Sequence, residues 1–202
     1  MIRSVLVLPI LFAGIAEAKR LETPAEAEQL LRTPDAAATY AFIDRLDAAS
    51  DRIAVRPFGK TPQGRELVAV VAGAFRPGRE VVFVQAGIHA GEIEGKDAGL
   101  MLLADIAAKD ARALRWLDHA TLVFVPIFNL DGHERRSRFN RINQNGPVEM
   151  GWRGTSQRIN LNRDYIKADA PEMRALIGLI DEVDPDLLID THTPNGADYR
   201  YD

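Results

Sequence analysis

Apolar and polar positions follow two rhythms along this chain, and the switches between them predict its elements. A polar helical stretch opens at Thr23 or Pro24. Asp35 can then cap a helix over residues 36–49, where Tyr40, Ile43 and Leu46 recur at three-residue spacing on one face. Residues 53–58 alternate with period two, the turn Gly59-Lys60-Thr61-Pro62-Gln63-Gly64-Arg65 interrupts them, and residues 67–72 resume, which predicts a strand hairpin. Val81-Val82-Phe83-Val84 and residues 122–128 are apolar throughout and predict buried strands. Between them Ala98, Met101, Leu102 and Ile106 mark an amphipathic helix over residues 94–109. Pro171 starts a helix reaching residue 183, and Leu187-Leu188-Ile189 forms a short buried strand that runs into Asp190-Thr191-His192.

Strands alternating with helices predict the α/β class: a central mixed, largely parallel sheet flanked by helices. In such sheets ligands gather beyond the carboxyl ends of the strands, and the polar residues of interest fall there. No repeat, low-complexity tract or linker divides the chain.

Composition sharpens this picture at three points. The 202 residues suffice for one domain with its own core. The formal charge of −4 lacks the concentrated basic face that nucleic-acid binding needs. Cysteine is absent, so disulfides, thiolate zinc sites and cysteine nucleophiles are excluded, and any transition metal falls to His and carboxylate. At the start of the chain, Arg3, the apolar run Ser4 to Ile15 and Ala16-Glu17-Ala18 follow the order of a cleaved signal peptide over residues 1–18. The run is shorter than the ~20 residues a bilayer span requires. A secreted or periplasmic location is therefore expected, with no stable membrane anchor.

The candidate chemistry centres on Gly87-Ile88-His89-Ala90-Gly91-Glu92. Three residues are nearly one helical turn, so His89 and Glu92 can point the same way and offer two ligands to a catalytic zinc. His192, at another strand end, can supply the third and leave one position open for water. By itself the doublet is equally a surface histidine near a helix start, with Glu92 favoured there by the helix dipole.

The motifs continue in order. Gly87 to Glu92 resembles the zinc-binding turn of the zinc carboxypeptidase family (carboxypeptidase A/B-like), and Gly59 to Arg65 is similar to its early glycine-arginine turn. Asn129-Leu130-Asp131-Gly132 is similar to its Asn-Pro-Asp-Gly. Trp152-Arg153, Asn162-Arg163 and Asp190-Thr191-His192 match later pairs and the strand end carrying the last ligand. The resemblance implies one Zn2+ on His89, Glu92 and His192, with Arg153 stabilising the oxyanion of a hydrolysed peptide or amide bond. It further implies that Asn162 and Arg163 clamp the substrate's terminal carboxylate, a task suited to a planar guanidinium fork. Residues 19–202 would be the N-terminal two-thirds of such a catalytic domain. The family's general-base glutamate and capping tyrosine lie beyond its last zinc histidine, so this chain alone is expected to bind zinc weakly and hydrolyse little.

Two positions depart from the family pattern. Asn160 stands where an aspartate usually holds the first zinc histidine; its amide oxygen can still accept the imidazole N–H, without the charge. Asp164 stands where Asn is common, and a carboxylate beside the clamp would favour a substrate with an amine near the cleaved end. Arg135, Arg136, Arg138 and Arg141 read as a solvated loop, with attraction of acidic substrates as the functional alternative. His119 and His133 read as structural or exposed. The expected partner is a peptide or peptidoglycan-peptide substrate, with no nucleic acid; nothing in the pattern indicates an oligomeric state. Alternatives are an amidohydrolase of the aspartoacylase or succinylglutamate desuccinylase type and a non-catalytic peptide- or peptidoglycan-binding module.

Overall fold

The hairpin forms where the turn chemistry placed it: β1 (Ile53–Lys60) pairs antiparallel with β2 (Glu66–Ala72). The computed structural model describes residues 19–142 and 144–193, so the leader read over residues 1–18 lies outside the described residues. Three further strands, β3 (Glu80–Gln85), β4 (Ala120–Val125) and β5 (Leu187–Asp190), complete a sheet of order β1-β2-β4-β3-β5. The expected mixed α/β sheet is thus present. Its parallel part is β4-β3-β5, and β2 joins it antiparallel through β4.

Helices cover both faces. α1 (Pro24–Ala27) is one short turn closed by a capping box between Thr23 and Glu26. α2 (Ala36–Ala49) starts where the Asp35 carboxylate accepts the Ala38 N–H, and it buries Phe42, Ile43 and Leu46. These pack with Leu100 and Leu103 of α3 (Glu94–Ala107) against Val70, Ala72 and Phe124 of the sheet. α4 (Ala111–Leu117), unread in the sequence, is capped by Asp110 and adds Ala113 and Leu117 to the same layer. After the short α5 (Leu130–Glu134), α6 (Pro171–Val183) lays Met173, Leu176 and Leu179 on the opposite face, over Ala69, Phe83, Val123 and Val125. Each such side chain contributes about 1.5–3 kcal/mol by leaving water, which fixes the helices firmly enough to present their loops.

The apolar runs are shorter or more open than their composition suggested. β4 ends at Val125, because the chain turns at Pro126 and Phe128 N–H bonds back to Ala86 O. Val82 and Val84 are only half-buried. β5 was expected to be buried; Leu187, Leu188 and Ile189 are instead 51%, 41% and 40% exposed, since among the described strands β5 pairs only with β3.

Candidate metal centre

The carboxyl ends of β3 and β5 lie side by side, Gln85 opposite Asp190, so the turns leaving them meet. From β3 the chain enters a left-handed turn at Gly87 (φ +69°) and reaches His89, Gly91 and Glu92 before α3 begins. α3 can approach β5 because residue 95 is glycine. A Cβ there would stand 2.0 Å from Thr191 Oγ1 and 2.5 Å from Thr191 Cβ. That contact brings the start of α3, and with it Glu92, up to His192.

His89, Glu92 and His192 accordingly offer ligand atoms that all lie within 4.8 Å of one another, and no other group of three or more His, Asp or Glu does so among the described residues. His89 Nδ1 is 3.1 Å from Glu92 Oε1, and His192 Nδ1 is 2.9 Å from Glu92 Oε2. Each ring's other nitrogen is held from outside: His89 Nε2 lies 3.3 Å from Asn160 Oδ1, and His192 Nε2 lies 3.0 Å from Asp190 Oδ2. Those outer oxygens can only accept, so with the ring proton on Nε2 each Nδ1 turns a lone pair toward the carboxylate and can bind a cation. With no cation between them, Nδ1 carries a proton and donates to Glu92. Electron pairs converging in this way repel one another unless a proton or cation lies between them. Bonds of about 2.0–2.1 Å to a tetrahedral zinc put ligand atoms roughly 3.3 Å apart. The two ring-to-carboxylate spacings of 3.1 and 2.9 Å are close to that, and two imidazoles with a carboxylate are a donor set that fits zinc.

Glu92 is buried, which would raise its pKa. Bonds from His89, the Thr193 N–H (3.1 Å) and Arg141 (2.8 Å) prevail and bring it down to about 2, so a full negative charge stands ready for a cation. Arg141 is itself buried and corrects the reading of residues 135–141 as a solvated loop. Its stem packs over Gly91, where a Cβ would come within 2.7 Å of Arg141 Cγ. No spacing rule pointed to it, for it reaches Glu92 from 49 residues away. Arg136 is tied down as well, donating to Thr33 O.

Arg153 Nη1 sits 3.8 Å from Glu92 Oε1 with its side chain 39% exposed, at the rim of the cluster. The Asn129-Leu130-Asp131-Gly132 motif explains its position. Asn129 Oδ1 accepts the Gly132 N–H at 3.0 Å and starts α5, while Asn129 Nδ2 donates to Arg153 O at 3.0 Å. Gly132 O accepts from Trp152 N–H at 2.7 Å, and a Cβ on Gly132 would strike Trp152 O at 2.5 Å. Asp131, with no side-chain exposure, gathers Thr61, Arg65 and Ser156 around itself and joins this loop to the β1–β2 turn.

Asn160 caps the 3-10 turn Leu161–Arg163, and its Oδ1 accepts from the Asn162 N–H at 3.1 Å as well as facing His89. Asn162 and Arg163 therefore stand in the same 3-10 turn that Asn160, which touches the cluster, caps. Arg163 is exposed and donates to Asn162 O. Asp164 does not stand beside them as expected. It is fully buried and accepts from the Asp169 and Ala170 N–H groups ahead of α6, so the preference for an amine-bearing substrate loses its basis. His133 is structural: buried, with Nδ1 2.8 Å from Glu134 Oε1 and Nε2 3.2 Å from Lys96 Nζ.

The profile of the zinc carboxypeptidase family matches residues 39–197, most of the chain, and takes in His89, Glu92, Arg153, Asn160, Asn162, Arg163 and His192. The chain belongs to the zinc carboxypeptidase family. Solved carboxypeptidases share its fold. A metallo-carboxypeptidase from Burkholderia cenocepacia is 22% identical, with a TM-score of 0.65 over 81% of this chain and 42% of that one. One from Pseudomonas aeruginosa, in complex with (2-guanidinoethylmercapto)succinic acid, is 20% identical, with a TM-score of 0.63 over 80% and 40%. Bovine thrombin-activatable fibrinolysis inhibitor, in complex with tick carboxypeptidase inhibitor, is 14% identical, with a TM-score of 0.63 over 82% and 62%. The chain thus spans about two fifths of the length of the bacterial carboxypeptidases it matches.

Proposed function

We propose that this chain carries the metal-holding and substrate-clamping residues of a secreted or periplasmic zinc metallocarboxypeptidase acting on peptides. The observation that carries the reading is the convergence of both Nδ1 atoms on one buried carboxylate, with Asn160 and Asp190 behind the rings. His89, Glu92 and His192 would hold one zinc ion, which supplies a Lewis acid that polarises the scissile carbonyl and eases ionisation of water.

The protein's own contribution is orientation and charge. Asn160 and Asp190 keep the two imidazoles turned toward the cluster. Arg153, on the rim 3.8 Å from Glu92, places a fixed positive charge where an oxyanion would develop. Asn162 and Arg163 would pair with the carboxylate that ends a peptide, which directs cleavage to the last bond. Among the other glutamates, Glu172 is buried at the start of α6 and Glu182 pairs with Arg56 of β1, so neither stands at the cluster.

The test is metal analysis together with ligand binding. Titrated with zinc, the purified chain is expected to bind about one ion per molecule, weakly, and His192→Ala is expected to lose that binding. An N-blocked peptide with a free C-terminus should bind more tightly than its C-terminal amide, and Arg163→Gln should erase that difference. Absence of zinc binding in the wild type would overturn the reading.

A further inference from the structure

A half-open cavity of about 450 Å3 adjoins the metal centre, lined by Arg135, Trp152, Arg153, Gly154, Arg158 and Asn160. It shares Asn160 and Arg153 with the cluster, so whatever fills it lies next to the scissile bond. Three of its six lining residues are arginines, and no carboxylate lines it.

Arg135 and Arg158 form no ion pair with any described carboxylate. Arg135 lies across the Trp152 ring, its guanidinium carbon 5.1 Å from the centroid. Two acids, Asp131 and Glu134, line a neighbouring cavity together with Arg135, and both are engaged by other groups. Asp131 is held by Thr61, Arg65 and Ser156, and Glu134 by His133 and the Ala36 N–H. Unpaired guanidiniums around one concavity repel each other and focus a positive field into it.

Arg158 also has an unusual backbone. It adopts a left-handed conformation (φ +63°), which favours glycine, inside a loop closed by Thr155 N–H to Ile159 O at 2.9 Å and Arg158 N–H to Thr155 O at 3.0 Å. The fold would be served better by glycine there, and an arginine fits instead with a use for its side chain at the cavity.

We infer that this cavity is the subsite for an acidic side chain flanking the bond to be cleaved, with Arg135 and Arg158 as the specificity-determining residues. The substrate class is a peptide bearing Asp or Glu next to its cleaved end. Arg158 and Arg135 would take the side-chain carboxylate by charge-assisted hydrogen bonds, while the Trp152 ring covers its methylene stem. The inference rests on the metallocarboxypeptidase reading for the position of the scissile bond.

Calorimetric titration of the chain with N-acetyl-triglutamate and N-acetyl-triglutamine tests it, with zinc content measured on the same preparations. The glutamate peptide is expected to bind about tenfold tighter, the gain of one good charge-assisted pair. In Arg158→Gly and in Arg135→Gln that ratio should fall toward one, while the melting temperature of Arg158→Gly holds or rises. Equal affinities in the wild type, or a ratio unmoved in both variants, overturn the inference. The ratio should survive in His192→Ala, where zinc is lost. A wild type that binds no zinc yet keeps the ratio would remove the metallocarboxypeptidase reading and leave the acidic subsite standing.

Discussion

His192 Nδ1 lies 2.9 Å from Glu92 Oε2, although 100 residues separate them. The contact exists because β3 and β5 run parallel and in register at Gln85 and Asp190, and because Gly95 lets α3 rest on Thr191. The chemistry of the site therefore depends on three things that can be varied separately: the outer partners of the rings, the closeness of the helix, and the loops that carry the polar residues.

Asp190 is expected to govern metal affinity without touching the metal. Asp190→Ala frees His192 Nε2 and lets the ring turn, which should weaken zinc binding about ten- to hundredfold in competition with a chromophoric chelator. Asn160→Asp restores a charged partner to His89 and should tighten it. Unchanged affinity in both variants would mean the rings are oriented by something else.

Gly95→Ala should destabilise the chain by about 1–3 kcal/mol, even though alanine is the better helix former. The added Cβ has only 2.0 Å to Thr191 Oγ1, in the backbone-anchored start of β5's exit turn, so α3 must move. Zinc affinity should fall with stability. Urea unfolding and metal titration of the variant check the two effects, and a variant more stable than wild type would show that α3 does not depend on this contact.

His133 should make the chain acid-sensitive. Burial foremost, then the nearby charges of Lys96 and Arg136, lower its pKa from 6.5 to about 4 against the pull of Glu134. Folded His133 stays neutral where the unfolded chain would bind a proton. Its contribution is thus whole above pH 6.5 and declines as the pH falls toward 4, by up to about 3 kcal/mol. Glu92, lowered to about 2, adds a loss of the same sign between pH 4.5 and 2. Unfolding free energies measured from pH 7.5 to 4 should fall with acid in the wild type, and the slope should flatten in His133→Gln.

Asp131→Ala should cost about 3 kcal/mol or more, because Arg65, Thr61 and Ser156 would all lose the acceptor that joins them. Asp131→Asn keeps the shape and should cost less. A melting temperature within error of wild type for the alanine variant would refute the role.

Much of this was legible in order of residues. α2 and α6 begin and end where Asp35, Pro171 and the apolar spacing put them, since caps and periodicity are local. The His89, Glu92 and His192 cluster and the Asn160 contact to it were legible because strand ends and a short motif carry them. The burial of Arg141 against Glu92 and the cavity that Arg135 and Arg158 share were not, for both arise only where separate loops meet. Asp164 misled for the same reason: its neighbours in sequence are Arg163 and Tyr165, but its partners are the N–H groups of Asp169 and Ala170.

By itself the sequence determined the α/β alternation, the hairpin turn and the absence of thiolate chemistry, all properties of residue type and short-range spacing, and its family resemblance singled out His89, Glu92 and His192 as candidate ligands. Only the tertiary structure decided that both imidazoles face one carboxylate through Nδ1, that a buried Arg141 holds that carboxylate, and that Arg135 and Arg158 share a cavity with no acid in it. Those are facts of orientation and desolvation. They arise when distant loops are pressed together at one end of a sheet, and no local pattern encodes them.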